Sequence, residues 1–597
     1  MPLVRPFVRK SLVVPAFILT VIIYITFDSI GPGEFPQYPS PPPPDFPNHG
    51  VGSSFGESQP HWQNKAEKYP VESYIQLPTN KPGKIPKIQY DFPAKEAPID
   101  RKRRLERQAA VQEAFTHAWG GYKSHAWLKD EVSPISGGFS NGFAGWAASL
   151  VDTLDTLLIM GMKDEFEEAL NALEKIDFST TSDQYINVFE TTIRYMGGFM
   201  AAYDLSDGKY PILLKKAQEV GDLVYGAFDT PNRMQISRWD WKKSLRGDTI
   251  LPARNTLLAE VGSLCLEFTR LTQLTGDPKY FDAIQRVTDE LEKAQSNTAV
   301  PGLWPMLVDL ENLIFSNKQF TLGGMADSTY EYLPKEHLLL GDRTKQYQRM
   351  YEDTVDPIKK HLLFRPMTKN GEDILFSGSY HGTTLDAEAQ HLTCFVGGMF
   401  GLGGKAFDRP ADLAIARKLV DGCIWAYDSM ATGLMPEIFF TSVCDDLDYC
   451  PWDEKKWLSG VRMHNHVSET DDESVLEQAE KMGLPPGIIR VSDPKYILRP
   501  EAIESVFIMY RITGDKKLQD AAWRMFTSIE KMTRTEIAHA SIEDVRFTDT
   551  HKTDKMESFW MAETLKYFYL IFSEPGLVSL DDYVLNTEAH PFRRPVA

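Results

Sequence analysis

From about Asp100 to the C-terminus, apolar residues recur at positions i, i+3, i+4 and i+7, the spacing of one face of an α-helix. Clear examples are VDTLDTLLIM (151–160) and AETLKYFYL (562–570). The alternation of apolar and polar residues that is typical of strands is scarce over the same region. The pattern therefore predicts an all-α fold.

Three short polar segments interrupt this helical pattern in a similar way: LSDGKY (205–210), LTGDPKY (274–280) and ITGDKKL (512–518). Glycine can close a helix in the left-handed conformation, and Ser, Thr or Asp can cap the start of the next helix. We interpret each segment as the turn of an αα-hairpin. Several hairpins without a regular repeat length favour a ring of helix pairs, an α/α barrel, over an elongated solenoid.

The N-terminal residues predict the cellular compartment. Residues 1–11 contain Arg5, Arg9 and Lys10, and an apolar run over residues 12–27 follows them. The run is longer than the apolar core of a typical signal peptide and slightly shorter than an average membrane-spanning helix. We interpret residues 1–11 as a cytosolic tail and residues 12–27 as a signal anchor, because positive charge stays on the cytosolic side. A cleaved signal peptide is the alternative, and it would also send the rest of the chain into the secretory pathway.

Residues 28–99 are rich in Pro, Gly and Ser and include four consecutive prolines at 41–44. They lack the apolar periodicity that a core requires, so we interpret them as a semi-rigid stem. Residues 100–597 then form one large helical domain.

The charge of the chain excludes some partners. Its 597 residues carry a formal net charge of −19, with a pI near 5.2. Nucleic acid and anionic membrane surfaces attract basic proteins, so neither is expected as a main partner. A neutral substrate or a bound cation fits this charge better.

The five cysteines fit an oxidising compartment. The preferred pairing is Cys394 with Cys423 and Cys444 with Cys450, although sequence spacing does not determine connectivity. Cys265 lies in the apolar segment GSLCLEF and is expected to be a buried free thiol.

Two acidic sites lie within otherwise apolar helical patterns, where an unpaired charge is costly to bury. Glu190 and Arg194 are one turn apart in FETTIR, and an exposed ion pair is the alternative interpretation. Asp327 stands among aromatic residues in ADSTYEY, and a helix N-cap is its alternative.

Two further sites follow towards the C-terminus. Glu501 and Glu504 share one helix face after Pro500, but acids in a first helical turn are favoured by the helix dipole, so Glu501 alone is weak evidence. The segment DKMESFWMAE (554–563) places another acid, Glu563, within an apolar helix.

If these sites lie on separate helices of one ring, they could converge near its axis. Paired carboxylates beside aromatic residues such as Tyr330, Phe559 and Trp560 suit glycoside hydrolysis. In that reaction one carboxylic acid protonates the leaving oxygen, and a carboxylate activates water or attacks the sugar.

Seven segments taken in order resemble the class I α-1,2-mannosidases of glycoside hydrolase family 47. They are LVDTLDTLLIMG (150–161), FETTIRYMGGFMAAYDLS (189–206), GGMADSTYEYL (323–333), HLTCF (391–395), LRPEAIES (498–505), MESFWMAETLKY (556–567) and NTEAHP (586–591). The resemblance runs from about residue 105 to 592. It implies an (α/α)7 barrel, hydrolysis of α-1,2-linked mannose with inversion at the anomeric carbon, one bound Ca²⁺, and a disulfide between Cys394 and Cys423.

The resemblance also implies roles for individual residues. Glu190 matches the family's proposed general acid, Glu501 its proposed general base and Asp327 a third essential carboxylate, with the division of labour among them left open. Thr587 matches the residue that coordinates Ca²⁺ through its hydroxyl and carbonyl oxygens, and oxygen ligands suit this cation. The positions that contact substrate or ion in the family are matched by Arg194, Glu260, Glu437, Arg499, Glu504, Phe559, Glu563 and Glu588.

The chain departs from one group within the family at Met325. Endoplasmic-reticulum members that remove a single mannose carry Arg there, and Met cannot donate the hydrogen bonds by which Arg would hold one glycan branch. Met325 resembles the Golgi-type and fungal members, and the segment CFVGG (394–398) resembles fungal enzymes more than animal ones. We therefore predict trimming of nine-mannose glycans to five mannoses. Pro334, in YEYLPKE, is expected to break the helical continuation usual at this point.

The resemblance also defines partners, location and rival functions. The substrates would be high-mannose N-glycans on glycoproteins. The protein would be a monomer that is anchored in the Golgi or endoplasmic-reticulum membrane, with its catalytic domain in the lumen. The alternatives are single-mannose trimming of the endoplasmic-reticulum type and a quality-control role resembling the degradation-enhancing mannosidase-like proteins. A glycan-binding lectin without catalysis is a further alternative.

Overall fold

The computed structural model describes residues 60–63 and 65–595. In these residues the amphipathic stretches form α-helices, which are, in chain order, α1 (Pro98–His125), α2 (Ala148–Asp152), α3 (Leu154–Ile159), α4 (Lys163–Leu173), α5 (Val188–Glu190), α6 (Gly197–Leu205), α7 (Pro211–Tyr225), α8 (Trp241–Arg246), α9 (Leu258–Gly262), α10 (Cys265–Thr275), α11 (Pro278–Gln295), α12 (Asp327–Leu340), α13 (Gln346–His361), α14 (Phe395–Ala406), α15 (Pro410–Ser429), α16 (Glu454–His464), α17 (Asp472–Lys481), α18 (Glu501–Thr513), α19 (Lys516–Thr533) and α20 (Leu565–Ile571). Short 3-10 helices lie at Gly226–Phe228 and Leu392–Cys394, and π-helical turns at Thr191–Met196 and Trp560–Thr564.

The strands are short and connect the helices. They are β1 (Glu131–Val132), β2 (Phe139–Ser140), β3 (Ile186–Asn187), β4 (Arg238–Trp239), β5 (Thr256–Leu257), β6 (Leu307–Val308), β7 (Gln319–Thr321), β8 (Leu363–Phe364), β9 (Phe376–Ser377), β10 (Ser379–His381), β11 (Thr384–Asp386), β12 (Glu388–Gln390), β13 (Ile438–Thr441), β14 (Ile488–Asp493), β15 (Tyr583–Leu585) and β16 (Pro591–Arg593). The pairs β1–β2, β3–β4, β5–β6, β8–β9 and β15–β16 and the three-stranded sheets β11–β10–β7 and β12–β13–β14 are antiparallel.

The helices form two concentric rings. The inner ring consists of α2–α3, α5–α6, α9–α10, α12, α14, α18 and α20, with the two π-helical turns inside the second and last of these segments. Each inner segment contacts the next, and the turn at Trp560–Thr564 contacts α2 and α3, which closes the ring. The outer helices α4, α7, α11, α13, α15, α19 and α1 pack against successive inner segments. The fold is an (α/α)7 barrel, so the predicted fold class is confirmed.

Two of the three predicted turns between paired helices have the expected chemistry. Gly276 and Gly514 follow α10 and α18 with φ angles of 76° and 68°, in the left-handed region that ends a helix. The next residue in each turn is an aspartate that caps the following helix, because Asp277 accepts a hydrogen bond from the Lys279 N–H and Asp515 accepts one from the N–H two residues further on. In the third, at 205–210, Gly208 is left-handed with a φ angle of 73°, but Tyr210 stands at the N-cap of α7 and its side chain makes no capping hydrogen bond.

The expected break at Pro334 is wrong, because α12 continues from Asp327 to Leu340 through this residue. Proline removes one N–H from the helical ladder, which costs about 3 kcal/mol in an exposed helix. Almost every side chain of α12 is buried, and packing on all sides of this inner helix outweighs that local cost.

The cysteines behave as predicted. Disulfides join Cys394 to Cys423 and Cys444 to Cys450, and Cys265 is a buried free thiol. The first disulfide ties the start of α14 to its outer partner α15.

The segment before α1 differs from the predicted stem. Its described part, residues 60–63 and 65–97, lies along the helical domain, and we call it the strap. Ile88 is fully buried, its N–H donates to the Asp581 carboxylate at 2.8 Å, and Gln89 accepts a hydrogen bond from buried Arg511 at 3.1 Å. The described residues from Pro60 onward belong to one compact unit, so the strap packs with the helical domain. The strap is extended and binds through backbone N–H groups, which leave no periodic apolar pattern in the sequence.

The predicted tail and signal anchor, residues 1–27, lie outside the described residues. Within the described ranges, no helix combines the length and the apolar character needed to span a bilayer.

Candidate active site

The acids singled out in the sequence lie near the start of inner-ring segments. Asp327 and Glu501 are the first residues of α12 and α18, and Glu190 ends α5 just before a π-helical turn. Glu260 lies in the short helix α9, and Glu563 in the second π-helical turn. Such π-turns are frequent at functional sites, since they shift side chains relative to a regular helix.

We call the region of the barrel that these acids share the chamber. Arg194 connects several of its groups. It is almost fully buried, its Nε donates to Glu190 at 2.9 Å, and its Nη1 donates to Glu588 at 2.8 Å. The same Nη1 also reaches the Ser558 hydroxyl at 3.0 Å and Asp152 at 3.3 Å. The alternative of an exposed Glu190–Arg194 pair is therefore wrong, because the arginine binds several groups inside the barrel.

The turn between β15 and β16 enters the ring and is held there by buried charges. The two ring nitrogens of His590 lie 3.1 Å from Asp152 and 3.1 Å from Asp155, and all three side chains are inaccessible to solvent. Lys566 donates to Asp155 at 2.7 Å and to the Ala589 carbonyl at 2.8 Å. This network fixes residues 586–590 against the inner helices.

Glu501 has two cationic or hydrogen-bonding neighbours. Its carboxylate lies 3.0 Å from Nδ1 of His391, whose Nε2 lies 2.7 Å from the Tyr427 hydroxyl. Arg499 lies 3.8 Å from Glu501 and donates to Glu437 at 2.6 Å. Burial alone would raise the pKa of Glu501, but the hydrogen bond from His391 and the charge of Arg499 hold that pKa below its usual value.

The pKa of Asp327 is shifted in the opposite direction. Burial raises the pKa of Asp327 to about 7, although the Ser328 N–H donates to its carboxylate at 2.8 Å. Repulsion from Glu331 and Glu501 contributes to this upward shift of the pKa. Near neutral pH, Asp327 can therefore hold or release a proton while Glu501 is ionised.

Further carboxylates are buried deeper in the same region. Glu504 lies 3.2 Å from the ammonium group of Lys335, which also pairs with Glu331, and burial raises the pKa of Glu504 to about 8. Burial also raises the pKa of Glu563 well above its usual range, and repulsion from Glu588 and Glu501 adds to the shift. The excess of acids over cations gives this part of the barrel an affinity for a proton or a cation.

The remaining predicted residues line the same region. The Glu260 carboxylate lies 2.6 Å from Arg238, and burial and repulsion from Glu190 raise its pKa against the effect of that arginine. The Phe559 ring lies under the Arg194 guanidinium, 6.0 Å from ring centre to charged carbon. Met325 is partly exposed two residues before Asp327.

Met325 has a φ angle of 82°, which is uncommon for a residue with a side chain. Its carbonyl accepts a hydrogen bond from the Ala259 N–H at 2.9 Å, and the neighbouring Gly324 N–H donates to Gln390 at 3.0 Å. Hydrogen bonds to Ala259 and to Gln390 therefore fix the loop of Gly324 and Met325 that precedes α12.

Thr587 lies partly exposed in the turn between β15 and β16. Its N–H donates to the Tyr332 hydroxyl at 3.2 Å, and we find no hydrogen bond from residues 60–63 or 65–595 to its hydroxyl or carbonyl oxygen. Across the same residues, no group of three or more His, Cys, Asp or Glu side chains is arranged to hold a metal ion. The hydroxyl and carbonyl oxygens of Thr587 are of the ligand type that Ca²⁺ prefers.

Sequence reasoning missed several residues that support the site: Asp152, Asp155, Glu331, Lys335, His391, Tyr427, Ser558, Lys566 and His590. Each is buried, and each bonds a site residue, the turn that carries Thr587 or, for Glu331 and Tyr427, another of these supporting residues. A signal existed for some of them, because Asp152, Asp155, His391 and His590 are polar residues within otherwise apolar segments.

Paired carboxylates whose pKa values are shifted in opposite directions suit the hydrolysis of a glycosidic bond. The sequence profile of glycosyl hydrolase family 47 matches residues 114–594, and the chain belongs to this family. The family and the enzyme class predicted from the sequence are thus confirmed.

Named relatives and a solved structure agree with this assignment. The chain is 35% identical over 529 residues to a mannosyl-oligosaccharide α-1,2-mannosidase of Coccidioides posadasii, covering 85% of this chain and 95% of that protein. It is 36% identical over 494 residues to the endoplasmic reticulum mannosyl-oligosaccharide 1,2-α-mannosidase of Rattus norvegicus, covering 81% and 68%. The structure of the α-1,2-mannosidase from Trichoderma reesei superposes with a TM-score of 0.73 at 33% identity, covering 82% of this chain and 99% of that chain.

Proposed function

We propose that this protein removes terminal α-1,2-linked mannose from high-mannose N-glycans by an inverting, Ca²⁺-dependent hydrolysis. The observation that carries the proposal is the pairing of Glu501, held ionised, with Asp327, which can carry a proton near neutral pH, inside a family 47 barrel. The names of the fungal and rat relatives support the choice of substrate.

In this proposal Glu501 is the general base that takes a proton from the attacking water. A base must be ionised at the working pH, and the hydrogen bond to His391 and the neighbouring Arg499 favour that state. His391 also orients the carboxylate, because its other ring nitrogen is engaged by Tyr427.

The general acid must protonate the departing sugar oxygen. Glu190 is the residue suggested by the family resemblance, and it shares Arg194 with Glu588. Asp327 is the second candidate, since a pKa of about 7 leaves it substantially protonated at neutral pH. Arg194, Arg499, Glu260, Glu437 and Phe559 would bind the sugar hydroxyls and ring faces, with Glu504, Glu563 and Glu588 closing the chamber.

The residues at the end of the barrel fit a bound Ca²⁺. Thr587 offers two oxygen atoms that accept no hydrogen bond from the described chain, and buried carboxylates surround this region, so a hard cation would lower their mutual repulsion. When bound, Ca²⁺ would hold substrate hydroxyls and neutralise charge, while Thr587 positions it.

Met325 favours trimming of several branches, from nine mannoses to five, because it offers no guanidinium to select one of them. We retain the tail (1–11) and the signal anchor (12–27) as proposals, with a monomeric, lumenal catalytic domain in the Golgi or endoplasmic reticulum. The rat endoplasmic-reticulum relative supports a place in the secretory pathway.

Calcium removal gives the first test. Chelation should abolish activity and lower the melting temperature, because a ligand bound only by the folded state contributes about 2.7 kcal/mol at a hundredfold excess over its Kd. Thr587→Ala should behave like the chelated protein and respond little to chelation, whereas Thr587→Ser keeps both oxygens and should stay close to wild type. Calorimetry with and without chelator measures the melting temperature independently of activity. If the chelated wild-type protein kept both its melting temperature and its activity, the assignment would be contradicted.

The roles of the carboxylates give the second test. Glu190→Gln, Asp327→Asn and Glu501→Gln should each fold but lose about 10²-fold or more in kcat, because an amide is neither acid nor base. On α-mannosyl fluoride, whose leaving group needs no proton, the variant of the general acid should recover and the Glu501 variant should not. If Asp327 is the acid, wild-type activity on natural substrate should fall as pH rises above about 7, where this carboxyl loses its proton. Recovery of Glu501→Gln on the fluoride would contradict its role as base.

Branch selection gives the third test. The wild-type protein should convert a nine-mannose glycan to five mannoses, and Met325→Arg should slow the later cleavages more than the first. Both residues carry a Cβ, so the substitution adds no backbone strain at the positive φ angle. Hydrolysis of the α-1,2-linked disaccharide serves as the control and should change little. Chromatography of the products over time measures this. A wild-type digestion that stops after one mannose would contradict the prediction and favour single-mannose trimming, and absence of cleavage would favour a lectin.

A further inference from the structure

The strap contacts the barrel at both of its ends, and its first end packs on strand β4. The Trp62 N–H donates to the Ser179 carbonyl at 2.6 Å, and its ring packs edge-to-face on Trp239 with centroids 4.8 Å apart. Gly226 leaves room for this contact, because a Cβ there would lie 2.7 Å from Trp62 and 2.9 Å from Trp239. The two indoles are therefore closely packed.

The strand under Trp62 carries partners of two site acids. Trp239 lies on β4, which pairs with β3 so that Arg238 stands opposite Asn187. The Asn187 side chain accepts a hydrogen bond from the Glu190 N–H at 3.3 Å and so caps the helix that bears this acid. Arg238 lies 2.6 Å from the Glu260 carboxylate. A shift of β4 would therefore displace both acids.

The strap also holds the chain that leads from β4 to α9. Lys65 donates to the Leu245 carbonyl and Lys68 donates to the Thr249 hydroxyl, while the Lys68 N–H donates to Asp229 at 2.8 Å. Leu245 and Thr249 lie between Arg238 and Glu260 in sequence, and Asp229 precedes β4. Both connections to the acid pair are thus fixed by residues upstream of the helical domain.

We propose that Trp62 is a positioning residue of the active site: by packing on Trp239 it holds the β3–β4 pair, and through Asn187 and Arg238 it sets the positions of Glu190 and Glu260. The effect on catalysis rests on the proposed function, whereas the effect on the β3–β4 pair does not. In this proposal the strap supports the active site in addition to continuing the chain from the N-terminal residues.

The test compares Trp62→Ala with Trp62→Phe and with Asp581→Asn, which replaces the charged acceptor of the Ile88 and Gln89 N–H groups by a neutral one and so weakens the other end of the strap. All three are made in the full chain and measured for hydrolysis of the α-1,2-linked disaccharide, melting temperature and hydrogen exchange at residues 186–190 and 238–239. Trp62→Ala should lower kcat about tenfold or more, because small displacements of catalytic groups have large effects, and should speed exchange at both stretches. Trp62→Phe should restore most of both properties. Asp581→Asn should lower the melting temperature but leave kcat within about twofold of wild type.

The proposal would be overturned if Trp62→Ala and Asp581→Asn lowered the melting temperature equally and also lowered kcat equally, since the strap would then act on stability alone. If the wild-type protein does not cleave the disaccharide, the proposed function fails, and unchanged exchange at 186–190 in Trp62→Ala would separately overturn the role of Trp62. If Trp62→Ala does not fold, Trp62→Leu takes its place, and the same pattern with a smaller loss is expected.

Discussion

The candidate site depends on the burial of the C-terminal turn inside the helical ring. Arg194 binds Glu588 at 2.8 Å and His590 lies between Asp152 and Asp155, all of them shielded from water. Removing one partner from a buried ionic pair costs about 3–5 kcal/mol, because the other charge is left without compensation. This network keeps Thr587 and Glu588 inside the barrel, although they lie near a chain end.

The same burial explains the division of proton affinity among the acids. Several carboxylates share this region with few cations, so burial and mutual repulsion raise the pKa of Asp327, and they raise the pKa of Glu504 even though Lys335 lies 3.2 Å away. Glu501 stays ionised because His391 and Arg499 face it. One chamber thereby contains both a proton donor and a proton acceptor, which hydrolysis of a glycosidic bond requires.

Helix periodicity and turn chemistry were sufficient to predict the all-α ring from sequence. Gly276 with Asp277 and Gly514 with Asp515 end one helix and begin the next as expected, because these signals are local. The prediction of a helix break at Pro334 was wrong because the outcome there depends on tertiary packing, and packing from all sides keeps α12 helical at this residue. The strap was also missed, because Ile88 and Gln89 bind through backbone and side-chain groups that only the folded barrel supplies.

At the site, the residues predicted from the family resemblance lie in or beside one chamber, but the groups that set their charges could not be predicted. His391 is 110 residues from Glu501 in sequence, and Asp152 and His590 lie 438 residues apart. The central claim is that this chamber performs an inverting hydrolysis with Glu501 activating water. The most direct measurement is proton NMR of the first mannose released from an α-1,2-linked substrate, recorded before the anomers equilibrate. The account predicts β-mannose, and α-mannose as the first product would contradict it.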